Sequence, residues 1–69
     1  MNLAIKHVLQ FFRYDHLSPE LQEIAAPFAD LAHRVAHTAD NAETTVALRK
    51  LLEAKDAAVR ASLVNRSAI

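Results

Sequence analysis

Residues 44–63 have the sequence TTVALRKLLEAKDAAVRASL, which predicts one long helix with two apolar rows. On a helical wheel the first row consists of large side chains, at Leu48, Leu52, Val59 and Leu63. The second row lies beside it and is mostly small, with Ala47, Leu51, Ala54, Ala58 and Ala61. A narrow polar strip remains, formed by Arg49, Glu53, Asp56 and Arg60. Because more than half of the circumference is apolar, this helix must be covered from two sides, and one partner helix in the same chain is not enough.

The length and composition also favour association between copies. A chain of 69 residues buries only about 60% of its unfolded surface if it folds alone. Small domains often compensate with disulfides or a structural metal, but this chain has no cysteine, which also fits a reducing cytosol. Lys6, His7 and Gln10 interrupt the N-terminal apolar stretch, and no apolar run reaches the roughly 18 residues of a membrane span. We therefore expect a soluble, unprocessed homo-oligomer with no membrane partner.

Charge and glycine content exclude several classes of function. The formal net charge is zero, which argues against DNA or RNA as a partner, since a basic face supplies most of the affinity for nucleic acid. A helix-turn-helix reading is disfavoured for the same reason. The chain contains no glycine, so it has neither a Gly-rich phosphate loop nor a dinucleotide-binding turn.

Two more helices precede the last one. Residues 3–12 have apolar side chains at positions 5, 8, 9 and 12, the spacing of a short amphipathic helix. Residues 19–37 repeat with a period of 3.6 and predict a core face at Leu21, Ile24, Ala25, Phe28, Leu31, Ala32 and Val35. The fold class is therefore predicted as all-α, in one domain over 1–69: a short helix, about 3–12, then an antiparallel hairpin of helices about 19–37 and 42–64. Fraying is expected from residue 65.

Local signals mark the helix ends. Ser18 is predicted to cap the exposed amides of the middle helix, with Pro19 at its first position. Asp40 and Glu43 have the spacing of a capping box at the start of the last helix. Pro27 falls inside the middle helix and removes one backbone hydrogen bond. We expect a kink near residues 23–27, or two shorter helices.

The connector between the first two helices carries most of the aromatic side chains. Phe11, Phe12 and Tyr14 alternate with Arg13 and are followed by His16. Flat rings beside a guanidinium can stack on bases and pair with phosphates, and one ring contributes roughly 1–3 kcal/mol per stacked base. In the alternative, Phe11 and Phe12 fill the core, and only Tyr14 and Arg13 remain available to a ligand.

A second candidate cluster lies near the start of the last helix. Thr45, Arg49 and Lys50 place one hydroxyl and two cations on neighbouring turns, where they could hold phosphate oxygens at a subunit boundary. The alternative is that the two cations are ordinary surface charges.

Metal and catalytic chemistry are not expected. His33 and His37 with Asp30 have metal-ligand spacing on a helix, but they lack a fourth ligand, and a solvated polar face is the default interpretation. No serine has an adjacent base, and no pair of carboxylates has catalytic spacing. We expect neither an enzyme nor a bound metal or cofactor.

Residues 43–60, ETTVALRKLLEAKDAAVR, resemble the second-helix signature of the small helical-hairpin domain of bacteriophage anti-CBASS and anti-Thoeris sponge proteins. In that signature a hydroxyl residue precedes Leu-Ala-Leu, followed by Lys-Leu, an acidic residue with alanine, and an alanine-rich end. An aromatic connector, here FRYDH at 12–16, then a proline, then an acidic residue with Leu-Ala, here at 30–32, complete the similarity over about residues 11–63.

The resemblance implies a specific function. Such proteins are helical hexamers, built as trimers of dimers, that sequester cyclic oligonucleotide or cyclic ADP-ribose-type immune signals without cleaving them, in the cytoplasm of the infected bacterial host. Their ligands bind in pockets between protomers. The matching positions are Phe12, Arg13, Tyr14, His16, Thr45 and Arg49. Ala42 and the pair Asp56-Ala57 stand where the family often has an arginine and an aromatic, so the identity of the ligand stays open.

A helical module that docks on a host or phage protein is the alternative function. The position of Tyr14 and Arg13 distinguishes the two readings. If both side chains border a concave pocket, a small-molecule ligand is favoured. If the exposed apolar surface is flat and has no pocket, a protein partner is favoured.

Overall fold

The computed structural model describes residues 1–67, and these residues form helices and turns without a strand. The elements are α1 (Leu3–Leu9), a 3-10 turn (Gln10–Phe12), α2 (Pro19–Ala36) and α3 (Ala42–Ser67). The all-α prediction is confirmed. α2 runs through Pro27 as one helix, so the alternative of two shorter helices is wrong, whereas a kink stays a prediction. α3 continues beyond residue 64 to Ser67, and any fraying at 68 and 69 lies outside the described residues.

α2 and α3 form the predicted hairpin, and α1 lies against both of its helices. The backbone N–H of Asn2 donates to Oδ1 of Asp40 in the hairpin turn at 2.9 Å. At the other end of α1, Nζ of Lys55 donates to the carbonyl of Phe11 at 3.1 Å. Because Asp40 precedes α3 and Lys55 lies in its second half, α1 runs alongside α3 in the same direction. None of the helices in residues 1–67 combines the length and the apolar character needed to cross a bilayer.

The core is built on an alanine face of α2. The buried residues of this helix are Ala25, Ala29, Ala32 and Ala36, which are spaced as one stripe. Ala29, Ala32 and Ala36 belong to the core cluster. The large side chains of that cluster come from the other elements: Ile5, Val8, Phe12 and Leu48. Small residues let helix backbones approach closely, so this alanine face lets the other elements pack close to α2. The predicted core position Leu31 is wrong, because its side chain is 47% exposed.

The two apolar rows of α3 are covered unequally within the chain. Leu48 is fully buried, Leu52 is half-buried against the core cluster, and Val59 is half-buried. In the alanine row, three members are exposed: Ala47, Ala54 and Ala61. Leu51 and Ala58 of the same row are half-buried, so this chain covers the second apolar side only in part.

The helix ends differ from the prediction in their capping atoms. Ser18 and Pro19 occupy the predicted N-cap and first helical positions, but the Ser18 hydroxyl makes no capping hydrogen bond. At the start of α3 the cap is Asn41, whose Oδ1 accepts the backbone N–H of Thr44 at 3.1 Å. The predicted cap Asp40 is wrong, because its carboxylate accepts from α1.

Candidate ligand-binding site

The connector between α1 and α2 is a structured turn. The backbone N–H of Leu17 donates to the carbonyl of Tyr14 at 3.0 Å, which closes the turn. The side-chain amide of Gln22, in the first turn of α2, donates to the carbonyl of Leu17 at 2.8 Å. These bonds hold the connector against the end of the hairpin, and they fix the backbone that carries Arg13 and His16.

Arg13 and Asp15 form a two-point ion pair on the connector. Nε of Arg13 lies 3.3 Å from Oδ1 of Asp15, and Nη2 lies 3.0 Å from Oδ2. The hydrogen bonds and the opposite charge lower the pKa of the Asp15 carboxyl and raise the pKa of Arg13. Both side chains are largely exposed, at 70% and 68%, so water and salt screen the pair. The guanidinium can therefore exchange this carboxylate for another anion.

A concavity of about 390 Å³ lies between the 3-10 turn, the connector and α3; we call it the basic concavity. Its charged lining residues are Arg13, Lys55, Asp56 and Arg60, which gives three cations and one carboxylate. His16 also lines it, and Leu17 and Val59 are its aliphatic lining residues. The balance of charge suits an anionic ligand.

An aromatic ring borders the basic concavity. Phe11 lines it and is 49% exposed, so part of the ring surface is available to a ligand. The imidazole of His7 packs edge-on against this ring, with centroids 5.4 Å apart and planes at 81°. Nδ1 of His7 also lies 3.0 Å from the side-chain amide of Gln10. His7 of α1 thus restrains the Phe11 ring, which belongs to the 3-10 turn after that helix.

Lys55 was missed as a site residue from the sequence. Its side chain is only 13% exposed, and Nζ lies 2.9 Å from Oδ1 of Asp56 as well as 3.1 Å from the carbonyl of Phe11. The sequence did contain an indication of this position. Lys55 follows Leu52 by three residues and precedes Val59 by four, which is the spacing of one helix face. A lysine inside an apolar row directs its ammonium to the edge of the core, here into the basic concavity.

A second concavity, of about 340 Å³, lies between the connector and α2; we call it the acidic concavity. Its polar lining residues are Arg13, Tyr14, Asp15, Asp30 and His33. Two carboxylates thus face one cation. Since Arg13 lines both concavities, the two are neighbours.

The structure brings the predicted connector residues together around these concavities. Arg13 and His16 line the basic one, whereas Phe12, Arg13 and Tyr14 line the acidic one. Phe12 is 2% exposed and belongs to the core, so no face of its ring is free for stacking. The alternative of a core-filling ring therefore holds for Phe12 and not for Phe11.

Thr45 and Arg49 line neither concavity. They precede Lys55 by ten and six residues, which places them about 15 and 9 Å away along the axis of α3. Arg49 is exposed, whereas the Thr45 hydroxyl oxygen is buried without a hydrogen-bond partner among the described residues. A single chain does not bring these two side chains to the connector.

His33 and His37 lie at the C-terminal end of α2, with His33 inside the helix and His37 directly after its last residue, Ala36. In residues 1–67 no group of three or more histidine, aspartate or glutamate side chains is placed to hold a metal ion. Asp30 and His33 face the acidic concavity instead.

Comparisons with protein-family models, curated proteins and solved structures give no significant match to this chain. The resemblance of residues 11–63 to phage sponge proteins thus stays a prediction.

Proposed function

We propose that this chain binds and sequesters a cyclic oligonucleotide or a cyclic ADP-ribose-type second messenger without cleaving it. In this proposal it is a phage protein that blocks CBASS or Thoeris signalling in the cytoplasm of the infected bacterium. The observation that carries the proposal is the basic concavity, where Arg13, Lys55 and Arg60 surround a half-exposed ring, Phe11. Arg13 and Tyr14 both border concave surface, which favours a small ligand over a flat protein contact.

The lining matches the chemistry of such a ligand. Cyclic nucleotides combine phosphodiester anions with flat bases. Guanidinium groups pair with phosphate oxygens at two points, and an ammonium adds a compact positive charge. An exposed ring supplies a stacking surface for a base. A volume of about 390 Å³ also lies in the range of small-molecule sites, roughly 300–1,000 Å³.

The proposed assembly is a homo-oligomer, a hexamer arranged as a trimer of dimers. Its support is an exposed, mostly apolar stripe along α3, which is interrupted by Lys50 and which we call the uncovered stripe: Val46, Ala47, Ala54, Ala57, Ala61 and Val64. The two valines are 45% and 67% exposed. A second copy that packs on this stripe would bury its apolar side chains. A neighbouring copy could also bring Thr45 and Arg49 to the concavities.

The test is isothermal titration calorimetry of the purified protein with cyclic di- and trinucleotides and cyclic ADP-ribose isomers. We expect one class to bind and to raise the melting temperature, because it binds only the folded state. Arg60→Ala should weaken that binding about tenfold or more, as expected for the loss of a hydrogen bond to a charged group.

Arg34→Ala is the matched control, since Arg34 is an exposed arginine that lines neither concavity. Chromatography of the released ligand should recover it intact. Absence of binding by every class, equal effects of the two arginine variants, or recovery of a cleaved ligand would each contradict the proposal.

A docking module for another protein is the second candidate. The uncovered stripe favours it as well, because a host or phage protein could cover these residues instead of a second copy. A monodisperse single chain that binds no cyclic nucleotide would favour this candidate over the sponge.

A further inference from the structure

The acidic concavity cannot serve the same chemical group as the basic one. Asp15 and Asp30 give it two carboxylates against the single cation of Arg13, so a phosphate is disfavoured there. The two concavities nevertheless share Arg13. One ligand with an anionic part and a hydrogen-bond-donating part could therefore occupy both.

One carboxylate of the acidic concavity is available to a ligand. Both oxygens of Asp15 are engaged by Arg13. The Asp30 side chain is exposed and makes no hydrogen bond or ion pair within residues 1–65, the part of the chain whose side chains the structure describes. Tyr14 packs against the core cluster, and it lines the same concavity as Asp30. The site thus offers a free two-oxygen acceptor next to an aromatic surface.

We propose that the acidic concavity is a subsite for a guanine base, with Asp30 accepting two hydrogen bonds from its Watson–Crick edge; this inference depends on the proposed function. An ionised carboxylate only accepts hydrogen bonds, and its two oxygens match two parallel donors. Guanine presents such a pair in its ring N1–H and its exocyclic amino group. Adenine presents an unprotonated ring nitrogen beside its amino group, and that lone pair repels the carboxylate. The ribose hydroxyls are the same in both nucleotides and do not distinguish them.

The experiment is titration calorimetry of the full chain with cyclic di-GMP and cyclic di-AMP. The natural chain should bind cyclic di-GMP about tenfold more tightly or better, as a good two-point contact to a base discriminates by that amount. Asp30→Asn replaces one acceptor oxygen with a donor, so it should remove this preference. Its affinity for cyclic di-AMP should not fall, because the amide removes the repulsion of the adenine ring nitrogen and offers that nitrogen an N–H donor.

Glu23→Gln provides the control, because Glu23 is an exposed carboxylate of α2 that lines neither concavity. It removes the same charge and should leave the preference unchanged. Circular dichroism confirms that the variants are folded. Equal affinity for the two dinucleotides, or a preference that survives Asp30→Asn, would overturn the guanine subsite and leave the proposed function standing. Binding of neither dinucleotide nor of any other cyclic nucleotide would overturn both.

Discussion

Arg13 is already paired when a ligand arrives. Its guanidinium makes two contacts with Asp15, at 3.0 and 3.3 Å. A phosphate in the basic concavity must therefore compete with a carboxylate that is two residues away along the chain. The competition is mild, because both side chains are largely exposed. Asp15 thus acts as an internal counter-ion that lowers the affinity for the proposed ligand.

Removing this counter-ion should strengthen binding. We expect Asp15→Asn to raise the affinity for the bound cyclic nucleotide severalfold, because the amide holds the guanidinium less strongly. Calorimetry at constant ionic strength measures the change. Glu53→Gln is the control, since Glu53 pairs with Lys50 at 3.7 Å outside both concavities. Weaker binding by Asp15→Asn would show that Asp15 positions Arg13 for the ligand instead of competing with it.

Burial determines how much two leucines contribute to stability. Leu48 is completely buried, so Leu48→Ala should lower the free energy of unfolding by about 2–5 kcal/mol. The same truncation at Leu31, which is 47% exposed, should cost less than half of that. Urea unfolding followed by circular dichroism measures both. A larger loss for Leu31→Ala would mean that Leu31 is buried in an assembly of chains.

At the scale of elements, hydrophobic periodicity predicted the three helices and the connector. The apolar spacing of 3–12 identified Ile5, Val8 and Phe12, all of which are buried. Periodicity is a local property, however, and it does not determine which of two adjacent rows a neighbouring helix covers. That choice depends on how the helices pack, which is why the exposure of Leu31 could not be predicted.

The site was predictable to a similar extent. The connector residues were identified because aromatic and basic side chains outside a periodic pattern are hard to bury. Lys55 and Arg60 come from α3, and they meet the connector only after the chain has folded back on itself. Spacing along the sequence therefore gave no evidence that they share a concavity with Arg13. The cap of α3 was missed for another reason, since Asp40 and Asn41 are both good caps and tertiary contacts with α1 decide between them.

The two helix starts should respond differently to loss of their polar side chains. Asn41→Ala removes the acceptor of the Thr44 N–H and should cost about 0.5–2 kcal/mol of stability. Ser18→Ala should change stability by no more than about 0.5 kcal/mol, because the hydroxyl makes no capping bond and the residue is exposed. Thermal and urea unfolding measure both variants. Equal losses would mean that Ser18 caps α2 in solution.

At the scale of the whole molecule, the chain is long and narrow. Its principal extents are 44 × 19 × 15 Å, and its radius of gyration is 13.0 Å. A compact domain of this length would have a radius of gyration of about 11 Å. α3 has 26 residues against 18 in α2, so it extends beyond its partner in the hairpin. An elongated chain with an uncovered apolar stripe is a natural building block for an assembly.

Light scattering after size exclusion tests this assembly. We expect a mass several times that of one chain, and a melting temperature that falls on dilution, because association stabilises the folded state by mass action. Ala57→Glu places a charge in the uncovered stripe and should shift the protein to smaller species. Ala42→Glu adds the same charge at an exposed position outside the stripe and should not. A single-chain mass at high concentration would contradict the proposed oligomer.

The sharing of Arg13 between the two concavities has a consequence for the time a ligand stays bound. When one half of a two-part ligand detaches, the other half holds it within a few ångströms, at an effective concentration in the millimolar range, about that of a short tether. Rebinding of the detached half then competes with dissociation of the whole ligand. A ligand joined across both concavities would have a long residence time even though each concavity holds its own fragment weakly. Free mononucleotides, which occupy one concavity at a time, would be poor competitors.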